Sequence, residues 1–212
     1  MAIAYGALTS TVSLATSLTL TSPVVSGSNT VGLVYVVNDA GTVTSTTWNS
    51  FAMTLITSYS APSGEKGYLY YVTNPASSTS VSVTNTNFAT IVAWAFYYTG
   101  ASQSGIPDAV ATNTASAVTS ISQAVTVVAQ NSWLIACGGS YPGATVTATN
   151  STATLRSSTS NNGVADSNGT VATGSRTGGL SLSAVCSPGI IVASLAPAVP
   201  QVGGASFLLN FV

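Results

Sequence analysis

The sequence predicts an all-β chain folded as an antiparallel sandwich, and three observations carry that reading. Apolar residues recur with a period of two along nearly the whole chain, and β-branched residues fill the pattern. Good helix formers are scarce, with one Glu, one Lys and no helix-length stretch at 3.6 spacing. Turn residues punctuate the apolar runs at the interval expected of a sandwich or barrel.

The elements follow in order. Residues 12–20 alternate Leu14, Thr16, Leu18 and Leu20 against Ser13, Ala15, Ser17 and Thr19. Residues 30–37 are almost all apolar, which predicts a central strand covered on both faces. Asn38-Asp39-Ala40-Gly41 is a strong turn signal. Strands are predicted over 43–48 and 51–59, then a turn at Ser63-Gly64-Glu65-Lys66-Gly67 that reads as solvated. A strand over 68–73 ends at the breaker Asn74-Pro75, and strands follow over 80–84 and 89–98. Residues 100–119 read as a long polar connection. Further strands are predicted over 121–129, 132–138, 144–155, 169–173, 180–185 and 190–195. Residues 150–179, rich in Ser, Thr, Asn and Gly, read as exposed loops with a weak hairpin. A Pro/Gly-rich joint at 197–204 precedes a final strand over 205–212. No clear internal repeat is visible, and no composition shift argues for two domains.

Composition excludes several classes. Only 3% of the 212 residues are charged, against roughly a quarter in an ordinary domain. Ser and Thr replace them at about three residues in ten. With 46% hydrophobic residues and a net charge of −1, the chain is not of the disordered class. The longest apolar runs, 91–98 and 190–195, fall well short of the roughly 18 residues a spanning helix needs. Irregular strand lengths and the absence of paired aromatic girdles argue against a transmembrane barrel. The N-terminus lacks a basic segment before an uninterrupted apolar core, so no signal peptide is expected. Near-zero net charge favours association, which suits a packed lattice or fibre; composition alone equally fits a Ser/Thr-rich extracellular domain kept soluble by hydroxyl hydration.

The chemistry-bearing residues are few. There is no His, and the four carboxylates, Asp39, Glu65, Asp108 and Asp166, are far apart in sequence. General acid–base work needs a positioned His or paired carboxylates, so no catalytic residue is expected. Lys66 beside Glu65 reads as a solvated turn pair. Asp39, or Asp166 with Asn161, Asn162 and Asn168, is weighed as a weak calcium site against turn-forming Asx residues, and the turn reading is preferred. No metal and no cofactor are implied. Cys137 and Cys186, if bridged, would close a loop of about fifty residues worth about 4 kcal/mol; the preferred alternative is two buried thiols acting as small hydrophobes. Trp48, Trp94, Trp133 and the tyrosines at 68, 70, 71, 97 and 98 are weighed as sugar-stacking faces against core packing, with core preferred. Tyr70 and Tyr71 are adjacent and must point to opposite faces. Three cations cannot supply a nucleic-acid footprint. Asn150-Ser151-Thr152 and Asn168-Gly169-Thr170 match glycosylation sequons, which matter only on a eukaryotic secretory route.

Several segments resemble a family of jelly-roll or concanavalin-like sandwich domains found in phage structural proteins and secreted bacterial proteins. They are Gly27-Ser28-Asn29 before an apolar strand, Thr47-Trp48-Asn49, Met53-Thr54-Leu55-Ile56, and the aromatic strand leading into Asn74-Pro75. A strand ending at Gly100 and the Gly105-Ile106-Pro107-Asp108-Ala109 loop complete the pattern. The similarity spans residues 18–195 and implies a jelly-roll-like sandwich at 17–197 with extensions at 1–16 and 198–212. It implies display or attachment more than chemistry. The expected function is therefore a non-enzymatic structural protein of a bacteriophage virion, a capsid decoration or surface protein. A subunit of an extracellular filament or surface layer built by strand addition is the alternative, and a carbohydrate-binding module the third reading. Expected partners are other copies of the chain and other virion or filament proteins, with no nucleic acid and no membrane span. Phe207, Leu208, Leu209 and Phe211 in the final strand are the expected assembly contacts.

Overall fold

The computed structural model describes residues 1–77, 79–140, 144–148 and 154–199. Within them the chain is all-β and every strand pairing is antiparallel. The strands are β1 (Ala4–Thr21), β2 (Val31–Asn38), β3 (Val43–Trp48), β4 (Phe51–Ala52), β5 (Thr54–Ser60), β6 (Lys66–Thr73) and β7 (Ser80–Thr99), followed by β8 (Ala109–Thr114), β9 (Val118–Val127), β10 (Trp133–Gly139), β11 (Val146–Ala148), β12 (Thr154–Thr159), β13 (Asn162–Asp166), β14 (Gly174–Cys186) and β15 (Gly189–Leu195).

Two strands are long because they turn a corner. Residues 89–99 of β7 pair with residues 4–15 of β1 and with β2, whereas residues 80–85 pair with residues 17–21 of β1 and with β3. Between these segments the sheet curls back over itself. The Thr9 hydroxyl reaches the carbonyl of Thr21, in the same strand, at 2.7 Å. Asn85 holds the corner. It is buried, accepts from the Asn38 amide at 2.8 Å, and donates to the carbonyls of Ala40 and Asn87. Gly41 passes close by with φ +78°, and a Cβ there would stand 2.7 Å from the Thr86 hydroxyl. The two strands expected at 80–84 and 89–98 are thus one bent strand.

The result is four stacked layers. The first contains residues 17–21 of β1, residues 80–85 of β7, β3 and β4. The second contains residues 4–15 of β1, residues 89–99 of β7, β2, β6 and β5. The third is β12-β13-β10-β15-β8 and the fourth is β11-β14-β9. Three apolar cores lie between them. Leu18, Trp48 and Val81 meet Val34, Val36 and Ile91 between layers one and two. Leu33, Tyr35, Trp94 and Phe96 meet Trp133, Ile135 and Ile191 between layers two and three. Leu134, Ala136 and Val192 meet Ile121, Val125 and Leu180 between layers three and four. Because side chains alternate across a strand, β2 feeds one core with its odd positions and another with its even ones. That is why it reads as an unbroken apolar run, and all eight of its residues are buried. Each aliphatic side chain so buried is worth about 1.5–3 kcal/mol.

The topology contains a repeat that the residues do not display. The layer order β5-β6-β2-β7-β1 is matched by β12-β13-β10-β15-β8. The curled part matches too. The second segment of β1 corresponds to β9, β3 to β11, and the two segments of β7 to β14 and β15. Ser187-Pro188 breaks the chain where β7 runs on through its corner. The two units stack with opposite strand order, β1 against β12 and β5 against β8, as an approximate two-fold relation requires.

Several expectations are corrected. The connection 100–119 carries β8 and the start of β9. The region 150–179, expected as exposed loops with a weak hairpin, does hold a hairpin, β12–β13, but β13 is buried throughout, and the region also includes the first residues of β14. Its sequence, Asn-Gly-Val-Ala-Asp, lies between two cores and so shows no period-two signal. The strand expected at 169–173 reduces to one bridge, Val171 to Ser132. The 144–155 strand divides into β11 and β12. No helix is long and apolar enough to cross a membrane among the described residues.

Candidate functional site

All seven charged side chains, three basic and four acidic, are hydrogen-bonded within the chain. Asp39 accepts from the Thr90 amide at 2.9 Å. Lys66 donates to the Gly41 carbonyl at 2.8 Å. Asp108 accepts from the amides of Val128 and Ala129 and from the Ser194 hydroxyl, and so closes the loop before β10. Arg176 donates to the carbonyls of Ala172 and Thr173.

The other three charges sit in two polar clusters, both between layers two and three. In one, Asp166 at the end of β13 has a fully buried carboxylate. It takes both prongs of Arg156, at 2.9 and 2.8 Å, together with the Tyr98 hydroxyl at 2.8 Å and the Asn168 amide at 2.9 Å. Arg156 also stacks its guanidinium 4.2 Å from the centre of the Tyr5 ring. Its pKa is raised, the ion pair with Asp166 overcoming partial burial. In the other cluster, Glu65 is 1% exposed. It accepts from the Tyr59 hydroxyl at 3.0 Å and from the Asn162 amide at 3.0 Å, while the Tyr35 and Tyr59 hydroxyls stand 2.8 Å apart. Glu65 is therefore not in a solvated turn, as its neighbours imply. It lies in the core and spans 97 residues to its Asn162 partner. Burial first, and the Asp166 carboxylate second, push the Tyr98 hydroxyl pKa well up; burial and Glu65 do the same for Tyr35.

These contacts answer the cation question. Asp166 and Asn162 spend their oxygens on Arg156, Tyr98 and Tyr35. Among the described residues no group of three or more His, Cys, Asp or Glu side chains gathers. The cysteines are both free. Cys137 packs into the core between layers two and three, and Cys186 against the core on the other side of layer three, so no bridge joins them. Burial pushes the Cys137 thiol pKa up. Trp48, Trp94 and Trp133 are all buried, as are Tyr68, Tyr70, Tyr97 and Tyr98. Tyr71 is half-buried and packs against the middle core.

Phe207, Leu208, Leu209 and Phe211, with the sequon at 150–152, lie outside the described residues. The last described residue, Val199, borders a cleft of about 720 Å³ shared with Met1, Asn29 and Gln103. The Met1 amino group donates to the Ala198 carbonyl there at 3.2 Å.

One surface escaped the sequence reading. Residues 4–15 of β1 form an edge of layer two, paired with β7 on one side only among the described residues. Val12 faces the same side as Val92, and Leu14 the same side as Thr90. Closer to the chain start, that face packs Leu8 against the middle core. Farther along it is uncovered by the described residues, and Val12, Leu14 and nearby Phe88 are 48%, 62% and 65% exposed. The linear signal was present in one respect: no charge occurs before Asp39.

No family model, no curated protein and no solved structure matches this chain.

Proposed function

We propose that this protein is a non-enzymatic structural subunit of a larger assembly, a decoration or surface protein of a bacteriophage virion. The observation that carries the reading is the scarcity of charge, three basic and four acidic residues in 212 with a net charge of −1. Each charged group on a free soluble protein contributes to mutual repulsion. Here the charges are turned to the chain's own backbone and partners, and the remaining surface is hydroxyl, amide and apolar. Such a surface meets copies of itself with little electrostatic cost. The stacked antiparallel sheets are compatible with a jelly-roll decoration domain, which the resemblance of residues 18–195 to sandwich domains of phage structural proteins supports. On this reading residues 205–212, with Phe207, Leu208, Leu209 and Phe211, clamp a neighbour on the particle.

Electron microscopy of native assembled material, beside the oligomeric state of the purified full chain, tests the proposal. Icosahedral particles carrying this subunit at fixed lattice positions are the expected result. A helical polymer would transfer the reading to a filament subunit. A monomer at every concentration, with neither particle nor polymer, refutes both.

A further inference from the structure

The geometry points to a specific self-association surface: two copies of this chain pair antiparallel, about a two-fold axis, through residues 8–15 of β1. This rests on the assembly reading and names the surface that reading leaves open.

An unpaired strand edge is a template for another strand, and proteins guard it with Pro, Lys, short length or cover. The edges of this molecule are guarded to different degrees. β8 has six residues and follows Pro107. β12 carries Arg156. β9 is uncharged, but its exposed positions are Thr119, Ser120, Ala124 and Thr126, without a large apolar side chain. β5, the other edge of layer two, also lacks Pro and charge and exposes Leu55, but it has only seven residues. β1 is 18 residues long, contains no Pro and no charge, and exposes Val12 and Leu14.

Two arguments identify the occupant as a second copy. The first is self-complementarity. About a two-fold axis a strand meets itself, so any charge near the axis would face its own like charge. β1 has none, a composition that self-pairing tolerates in any register. The second is continuity with an interface already formed. The face of layer two that buries Leu8 and Phe96 against layer three runs on, uncovered among the described residues, through Val12, Leu14 and Phe88. In an antiparallel pair, opposite residues share a face with Cβ atoms about 4.5–5.5 Å apart. Pairing β1 with its copy therefore puts the two Val12–Leu14 stripes beside each other. Layer two then becomes one continuous sheet across the dimer.

The test uses the full chain carrying Cys186→Ser, with Cys137 left buried. Single cysteines replace Ser10, Thr11 or Ser13, and Ser58→Cys on the far edge, in β5, serves as control. At least one β1 cysteine should give a covalent dimer under mild oxidation, and the control none. Separately, Leu14→Lys should weaken the dimer by roughly tenfold or more while leaving thermal stability unchanged, because the side chain is exposed and like charges then meet across the axis. Mixing Leu14→Lys with Leu14→Glu should restore pairing as a heterodimer, which a damaged fold could not do. An oligomer indifferent to Leu14→Lys that yields no β1 cross-link overturns the proposal. An oligomer that vanishes instead on deleting residues 205–212 also overturns it, and leaves the assembly reading standing. A chain that stays monomeric at every concentration removes both.

Discussion

Three tyrosines buried between layers two and three set how this protein responds to alkali. Tyr35, Tyr59 and Tyr98 are held with hydroxyl pKa values well above the usual value, by burial first and then by neighbouring groups, Glu65 among them for Tyr35 and Tyr59 and Asp166 for Tyr98. In the unfolded chain they ionise near pH 10. Raised folded-state values mean that stability is unaffected below about pH 10 and falls as pH rises beyond it. Each tyrosine that must stay neutral to remain folded removes about 1.4 kcal/mol per pH unit, so three remove about 4 kcal/mol per unit. Against an ordinary stability of about 5–15 kcal/mol, unfolding should occur between about pH 11 and 14. The buried Cys137 thiol acts in the same direction and begins lower. Tyrosinate absorbance followed alongside far-ultraviolet circular dichroism measures this directly. These three tyrosines should ionise only as the β signal is lost, and Tyr98→Phe should reduce the steepness by about a third. Ionisation of all the tyrosines near pH 10 with the β signal intact would falsify the packing of the two middle layers.

Other consequences follow from the same packing. Asp166→Ala leaves Arg156 and the Tyr98 hydroxyl without their shared acceptor, and should cost about 3–5 kcal/mol in denaturant unfolding. Leu33→Ala in the middle core and Leu180→Ala in the core between layers three and four should each cost about 2–5 kcal/mol. Both should lower one shared transition, because the middle core belongs to both repeats; two separate transitions in calorimetry would contradict that coupling. In the native chain a maleimide should label Cys186 and spare Cys137 until denaturant is added, and reductant should leave the melting temperature unchanged.

Strand identity was legible wherever one physical condition held along a whole segment. β2 is buried on both faces and reads as a continuous apolar run, and β15 likewise. Legibility ended where a segment's environment came from elsewhere in the chain. Asn162-Gly-Val-Ala-Asp166 has turn-like composition, yet the packing of two cores makes it a buried strand. Glu65 sits between Gly64 and Lys66 in a loop composition, yet Tyr59 and the distant Asn162 bring buried donors to its carboxylate. The corner in β7 looked like a break because Asn85 and Asn87 are turn residues; here the Asn85 side chain donates to the carbonyls of Ala40 and Asn87 and holds the bend. The repeat is invisible in residues because β2, Val-Gly-Leu-Val-Tyr-Val-Val-Asn, and β10, Trp-Leu-Ile-Ala-Cys-Gly-Gly, share burial and pairing but almost no side chains. The exposed stripe of β1 was read as ordinary alternation, since a period of two marks two faces and does not say whether either is covered.

The scarcity of charge and the four-layer stack explain each other. The two middle sheets bury both faces, so most of their positions tolerate no ion without a buried partner. Apolar sheets stacked face to face have many near-equivalent offsets, however, and a core of Val, Leu and Ile does little to choose among them. The two polar clusters do choose. Asp166, opposite Ile135, and Asn162, opposite Gly139, stand at the two ends of β13, and each bonds a side chain of layer two: Tyr98 at one end, Tyr35 and Glu65 at the other. Sliding or rotating one sheet on the other would strand buried donors and acceptors at both ends at once, at about 1–3 kcal/mol for each neutral group and more for each charge. Three of the seven charges are thus spent where a buried ion contributes alignment more than net stability. The remaining four close turns, which leaves the edges, β1 above all, without the charges that ordinarily keep strands apart.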